Sequence, residues 1–135
     1  MQILDKISYA TIFENICILL LIFSINLNLH AQTQKLSIDD LLLQDSIYKS
    51  NKKKVLNFSL KEFDTLFLEF FNRKEDPDVF FTKSEFYTYT VQIATFSDRL
   101  ASLYPDQKEV AAQNKQQWLS ESYEDYLEYK ASQKK

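Results

Sequence analysis

The chain has 135 residues, a formal net charge of −3 and no glycine. Glycine is the residue that reaches positive φ without penalty and lets backbone approach a phosphate closely. Its absence therefore excludes the Gly-rich dinucleotide and P-loop motifs, the G-x-S-x-G nucleophile elbow and the standard EF-hand loop. It also disfavours a hairpin-rich all-β fold, whose turns lean on Asn-Gly and Asp-Gly, and the acidic balance gives no charge footprint for nucleic acid.

Residues 16–25 read ICILLLIFSI, and the chain continues NLNLHAQ. This apolar run is shorter than the ~20 residues a membrane span needs. It suits the core of a secretory signal peptide over residues 1–31, with Leu29-His30-Ala31 as the cleavage sequence before Gln32. An uncleaved N-terminal anchor and a core helix are the competing readings. Cys17 precedes most of the apolar run, where a lipid-attachment cysteine would follow it. Cleavage after Ala31 leaves residues 32–135 as the mature domain, periplasmic or extracellular. It removes Lys6, Asp5 and Glu14, so the net charge becomes −2, and it removes the only Cys and the only His. Export permits disulfides, but no cysteine remains to form one.

Four helices are expected beyond this segment. The first, over 38–49, starts at Ser37 as N-cap, with Asp39 and Asp40 at the positive end of the helix dipole. Leu41, Leu42, Ile47 and Tyr48 make its apolar side. The second, over 60–74, has Ser59 and Glu62 as a capping box and Phe58 as a staple to Phe63. Leu60, Phe63, Phe67 and Phe70 follow helical spacing, and Pro77 blocks continuation. The third, over 83–104, repeats the start: Thr82 with Glu85, Phe81 with Phe86. Phe86, Tyr89, Ile93, Phe96, Leu100 and Leu103 then step by 3 and 4, the pattern of a helix packed lengthwise in a bundle. Pro105 suits the first position of a fourth helix running to about residue 130. On it Ala112, Leu119, Tyr123, Tyr126 and Leu127 share one side. Residues 31–36 and 131–135 are expected to fray. The fold class is all-α: a small antiparallel bundle of three to four helices, with 83–104 and 105–130 as its longest hairpin. A three-helix bundle with the first helix loosely docked is the alternative.

The mature chain has no His or Cys, hence no Ser-His-Asp or Cys-His machinery and no ordinary zinc site. Glu121 and Glu124 lack the His of a di-iron motif. The Glu75-Asp76-Pro77-Asp78 run gathers three carboxylates but lacks calcium-loop spacing, and reads as a helix-ending turn. We therefore expect no catalytic residues, no metal and no cofactor. Lys49, Lys52, Lys53 and Lys54 suit either anionic headgroups or an acidic partner, or simply a solvated helix end. Phe80 and Phe81 read as staple and core residues. Asp45-Ser46-Ile47 and Asp64-Thr65-Leu66 resemble a short O-glycosylation pattern, but both lie within expected helices.

Trp118 and Tyr129, extended by Ala111, form a second apolar side on the fourth helix. Trp and Tyr are enriched at interface hot spots, so this side is the candidate partner surface; the competing reading makes Trp118 core. The expected function is that of an exported, non-enzymatic protein acting by protein–protein contact in the cell envelope. Membrane contact is then confined to the N-terminal segment if it stays uncleaved. One alternative is a carrier or sensor with an apolar ligand among Phe63, Phe67, Phe70, Phe86 and Phe96. Another is an enzyme that uses carboxylates only.

Overall fold

The computed structural model describes residues 36–135, so the signal-peptide and anchor readings lie outside the described residues. Within them run five α-helices: α1 Ile38–Val55, α2 Leu60–Glu75, α3 Lys83–Leu103, α4 Lys108–Ser120 and α5 Tyr123–Gln133. One turn of 3-10 helix, Pro105–Gln107, leads into α4. No strand occurs among the described residues, and no helix there is long and apolar enough to cross a membrane. The all-α bundle expected from the sequence is the observed architecture.

Local chemistry sets the starts. Ser59 and Glu62 close one capping box, with the Glu62 N–H donating to Ser59 Oγ at 3.1 Å and the Ser59 N–H to Glu62 Oε2 at 2.7 Å. Thr82 and Glu85 close the other, at 3.2 and 2.8 Å. Each box satisfies two backbone donors that a helix start leaves unpaired.

Helix α3 is the hub, packing against α1, α2, α4 and α5. Every residue from 90 to 97 is buried, including Thr90, Gln92, Thr95 and Ser97. Such polar side chains are tolerated where they find partners. Thr95 Oγ1 donates to the Val91 carbonyl at 2.6 Å, and Gln92 Nε2 to Asn51 Oδ1 on α1 at 2.7 Å. The short Tyr104–Gln107 connection makes α3 and α4 an antiparallel hairpin, clamped by Lys115 to Asp98 at 2.8 Å.

Two expectations are corrected. The first helix does not end at Lys49 but runs to Val55 and turns its leucines the other way. Its inward residues are Asp40, Gln44, Ile47 and Val55, while Leu41 and Leu42 are exposed. Polar ties set this orientation. Lys83 Nζ donates to Asp40 Oδ1 at 2.8 Å, and Gln44 Nε2 to the Leu119 carbonyl at 3.0 Å.

The 105–130 helix is in fact two helices, broken at Glu121 and Ser122. Ser122 is a buried N-cap whose Oγ accepts from the Asp125 N–H at 3.0 Å. Tyr87, fully buried on α3, accepts the Tyr123 N–H at 3.2 Å, and Gln44 takes the Leu119 carbonyl. Backbone groups freed by the break thus gain partners from α1 and α3, which makes the break affordable inside a core. The break also moves the inward line to Ala111, Trp118, Ser122, Tyr126 and Lys130, leaving Ala112 and Leu127 exposed. Helix α5 continues through 131–133, which were expected to fray. Ser122→Ala is expected to lower stability by about 1–2 kcal/mol, the loss of an N-cap in a buried setting. A denaturant titration beside wild type measures it.

Candidate functional site

The residues singled out as a partner surface are mostly core. Trp118 is 4% exposed and Ala111 is buried one helical face with it on α4. The indole packs edge-on against Phe67 and Phe70, with centroids 6.0 and 5.7 Å away, and reaches Phe71 at 6.4 Å. Such T-shaped contacts suit the ring quadrupoles. Tyr129 is half-buried on α5. Its hydroxyl donates to Glu75 Oε2 at 2.8 Å and accepts from Gln133 Nε2 at 2.9 Å. It fastens α5 to the end of α2. The three residues therefore do not assemble into one exposed patch.

The phenylalanines offered as a ligand lining pack on one another. Phe63 stacks on Phe96 at 4.0 Å, and Phe70 on Phe81 at 5.6 Å. Phe86 stacks on Tyr126 at 5.1 Å. Phe81, expected as a staple and core residue, is core and shares the neighbours Phe70 and Tyr126 with Phe86.

The carboxylates are distributed among structural tasks. Asp76 Oδ1 accepts from the Asp78 N–H at 3.0 Å, closing the turn after α2. The Asp76 carbonyl accepts from Lys130 Nζ. Lys130 is buried between the rings of Phe80 and Tyr126. Burial pushes its amine below the usual lysine range, with the carboxylates of Asp76 and Glu75 opposing. Among the described residues no group of three or more His, Cys, Asp or Glu is placed to hold a metal ion.

Asp40, Lys83 and Glu124 meet where α1, α3 and α5 begin. Lys83 Nζ reaches Asp40 at 2.8 Å and Glu124 at 3.2 Å. Burial works to raise the Asp40 carboxyl. The hydrogen bonds from Lys83 and Ser37, with the lysine charge, outweigh it and hold the group below the usual carboxylate range. The Asp40 hydrogen bond raises Lys83 above the lysine range, so both stay charged. Beside them burial pushes the Tyr87 hydroxyl up to about 12, keeping it a neutral phenol that accepts the Tyr123 N–H. This junction joins helices.

An open groove of about 330 Å³ runs between α2 and α3, lined in part by Glu69, Arg73, Glu85 and Tyr89. These four polar groups are bonded in series. Tyr89 donates to Glu69 at 2.7 Å, and Arg73 donates to Tyr89 at 3.3 Å and to Glu85 at 3.2 Å. The Arg73 guanidinium also lies 4.5 Å from the Phe81 ring centroid. The series cross-links the two helices.

The surface that sequence reasoning missed is the outward side of α1. Ile38 is 76% exposed, Leu42 63% and Leu41 49%. They sit at i, i+4 and i+3 and so form one patch. The lysine cluster continues outward along the same helix. Lys49 pairs with Asp45 at 2.6 Å, Lys52 lies over Tyr48, and Lys54 lies over Phe58. The signal was present in the helical spacing of Ile38, Leu41 and Leu42. Leu41 and Leu42 read as inward beside Ile47 because apolar residues usually are. In comparisons with known proteins, no family model, no curated protein and no solved structure matches the chain.

Proposed function

We propose that this chain is an exported, non-enzymatic helical protein that acts by docking onto protein in the cell envelope. Its contact surface is the outward face of α1. The observation that carries this reading is the inversion of α1. The helix is held from behind by Asp40, Gln44 and Asn51, and it turns Ile38, Leu41 and Leu42 to water. Apolar surface left in water forgoes about 25 cal/mol per Å², and contiguous exposed patches mark interaction sites. Export is supported by the apolar run 16–25 and the Leu29-His30-Ala31 sequence. Non-enzymatic action fits the use of Asp40, Lys83, Glu124, Arg73 and Tyr89 as ties between helices.

The test is in-cell crosslinking of envelope fractions, comparing wild type with Leu42→Asp. Leu42 is exposed, so the variant is expected to melt within about 0.5 kcal/mol of wild type and to lose the crosslinked protein. An unchanged crosslinking pattern in the folded variant would remove α1 as the contact surface. A protein that never leaves the cytoplasm would remove the envelope.

A further inference from the structure

We infer that the partner seated on the α1 face is a second copy of this chain, paired antiparallel along α1. The inference rests on the docking reading above, in taking this face as the contact surface.

Three features of the face support it. Ile38, Leu42, Asp45, Lys49, Lys52 and Leu56 are spaced 4, 3, 4, 3 and 4 along α1 and its C-cap. That rhythm places a stripe along the helix axis, which suits another helix laid lengthwise better than a compact ligand.

Charge along the helix is divided by position. The exposed acids Asp39 and Asp45 lie in the first half, and the exposed Lys49, Lys52 and Lys53 in the second. An antiparallel copy sets acid against base at both ends, and the two helix dipoles also oppose favourably. A parallel copy would set like against like. The lysine stems supply apolar cover for Leu41 and Leu42 while their ammonium groups stay in water.

The pairing is also isologous. The same patch serves both copies, so association closes at two rather than growing into a filament. An anionic membrane fits less well. Asp39 and Asp45 would face its headgroups beside the apolar residues. A seam made by one helix lies at the small end of specific interfaces, so the dimer is expected to exchange, with affinity on the order of micromolar.

The experiment is sedimentation velocity of the purified protein across the micromolar range, with circular dichroism melts to verify folding of each variant. Wild type is expected to pass from monomer to dimer, and no further, as concentration rises. Leu42→Asp is expected to stay monomeric. Two charge variants are made: Lys49→Glu/Lys52→Glu/Lys53→Glu, whose face is all acid, and Asp39→Lys/Asp45→Lys, whose face is all base. Each alone is expected to stay monomeric, and an equimolar mixture to dimerise.

A wild type that remains monomeric throughout overturns the inference, as does a dimer indifferent to Leu42→Asp or a mixture that fails to pair. If such a monomer still loses its envelope crosslink on Leu42→Asp, the docking reading stands with a different protein as partner. If the monomer instead floats with phosphatidylglycerol-containing vesicles, and Leu42→Asp abolishes flotation, the face belongs to lipid. Either result sinks the second copy.

Discussion

Trp118→Ala is expected to lower the unfolding free energy by about 3–5 kcal/mol, the range for removing a large aromatic from a packed core. The indole fills the space between α4 and the Phe67, Phe70 and Phe71 rings of α2. Phe70 cannot move into the void without breaking its stack on Phe81, nor Phe67 without leaving Phe63. For a domain of about 100 residues, a loss of this size lowers the melting midpoint by more than 10 °C. Tyr129→Phe is the matched control. It removes the partly exposed hydroxyl contacts with Glu75 and Gln133 and is expected to cost about 1 kcal/mol. Chemical denaturation of both variants checks the contrast. Near-equal losses would mean that the indole is not the centre of the core.

Lys83→Met is the second large effect, expected at about 2–3 kcal/mol. It strands the Asp40 carboxylate, which is 1% exposed, without its cation. Breaking a fully buried pair costs about 3–5 kcal/mol, and the partial exposure of Lys83 reduces that figure. The pH dependence carries a sign. In wild type the folded-state pKa of Asp40 is depressed. The stability it contributes is therefore present above the unfolded value of about 4 and is lost as pH falls through the folded value. Glu62 and Glu85 act in the same direction, each held low chiefly by a backbone hydrogen bond, from Ser59 and Thr82.

Without Lys83, only the Ser37 hydrogen bonds oppose burial at Asp40, and its pKa is expected to rise. The variant should then recover stability relative to wild type on acidification, as the stranded carboxylate takes a proton. Melts of both proteins between pH 7 and pH 3 test this. The double variant Asp40→Asn/Lys83→Met should regain most of the loss at neutral pH, since neither charge is left unpaired.

The parts of this fold that could be read from sequence are those decided within a few residues. Ser59 with Glu62, and Thr82 with Glu85, act over one helical turn, and both boxes form as expected. The inward line Phe63, Phe67 and Phe70 follows from spacing alone. Helix α1 was misoriented because its inward side is decided far away. Asp40 is buried because Lys83 lies 43 residues on, and Gln44 because the Leu119 carbonyl lies 75 residues on. Hydropathy has no knowledge of such partners.

The α4–α5 break had a local cue in Ser122 and Asp125, but the helix-forming residues around it read as continuous. The break needs Tyr87 and Gln44 from other helices to take its backbone groups. A continuous helix sets Ala112 and Leu127 inward beside Tyr126; with the break, Tyr126 is buried and the other two are exposed. Of the two sequence readings of Trp118, partner surface or core, the structure has the core one, and Ala111 is buried with it.

No described residue has a positive φ. Helix α1 ends on Leu56 in the right-handed region, α2 on extended Asp76, and α3 against Pro105. Every reversal of direction is thus made from conformations open to any side-chain-bearing residue. The consequence lies in the unfolded ensemble. A chain with no glycine wanders through fewer backbone states before folding, and each glycine replaced at a compatible position is worth about 0.4–1 kcal/mol. Part of the stability of this small domain therefore comes from disorder that the unfolded chain never had.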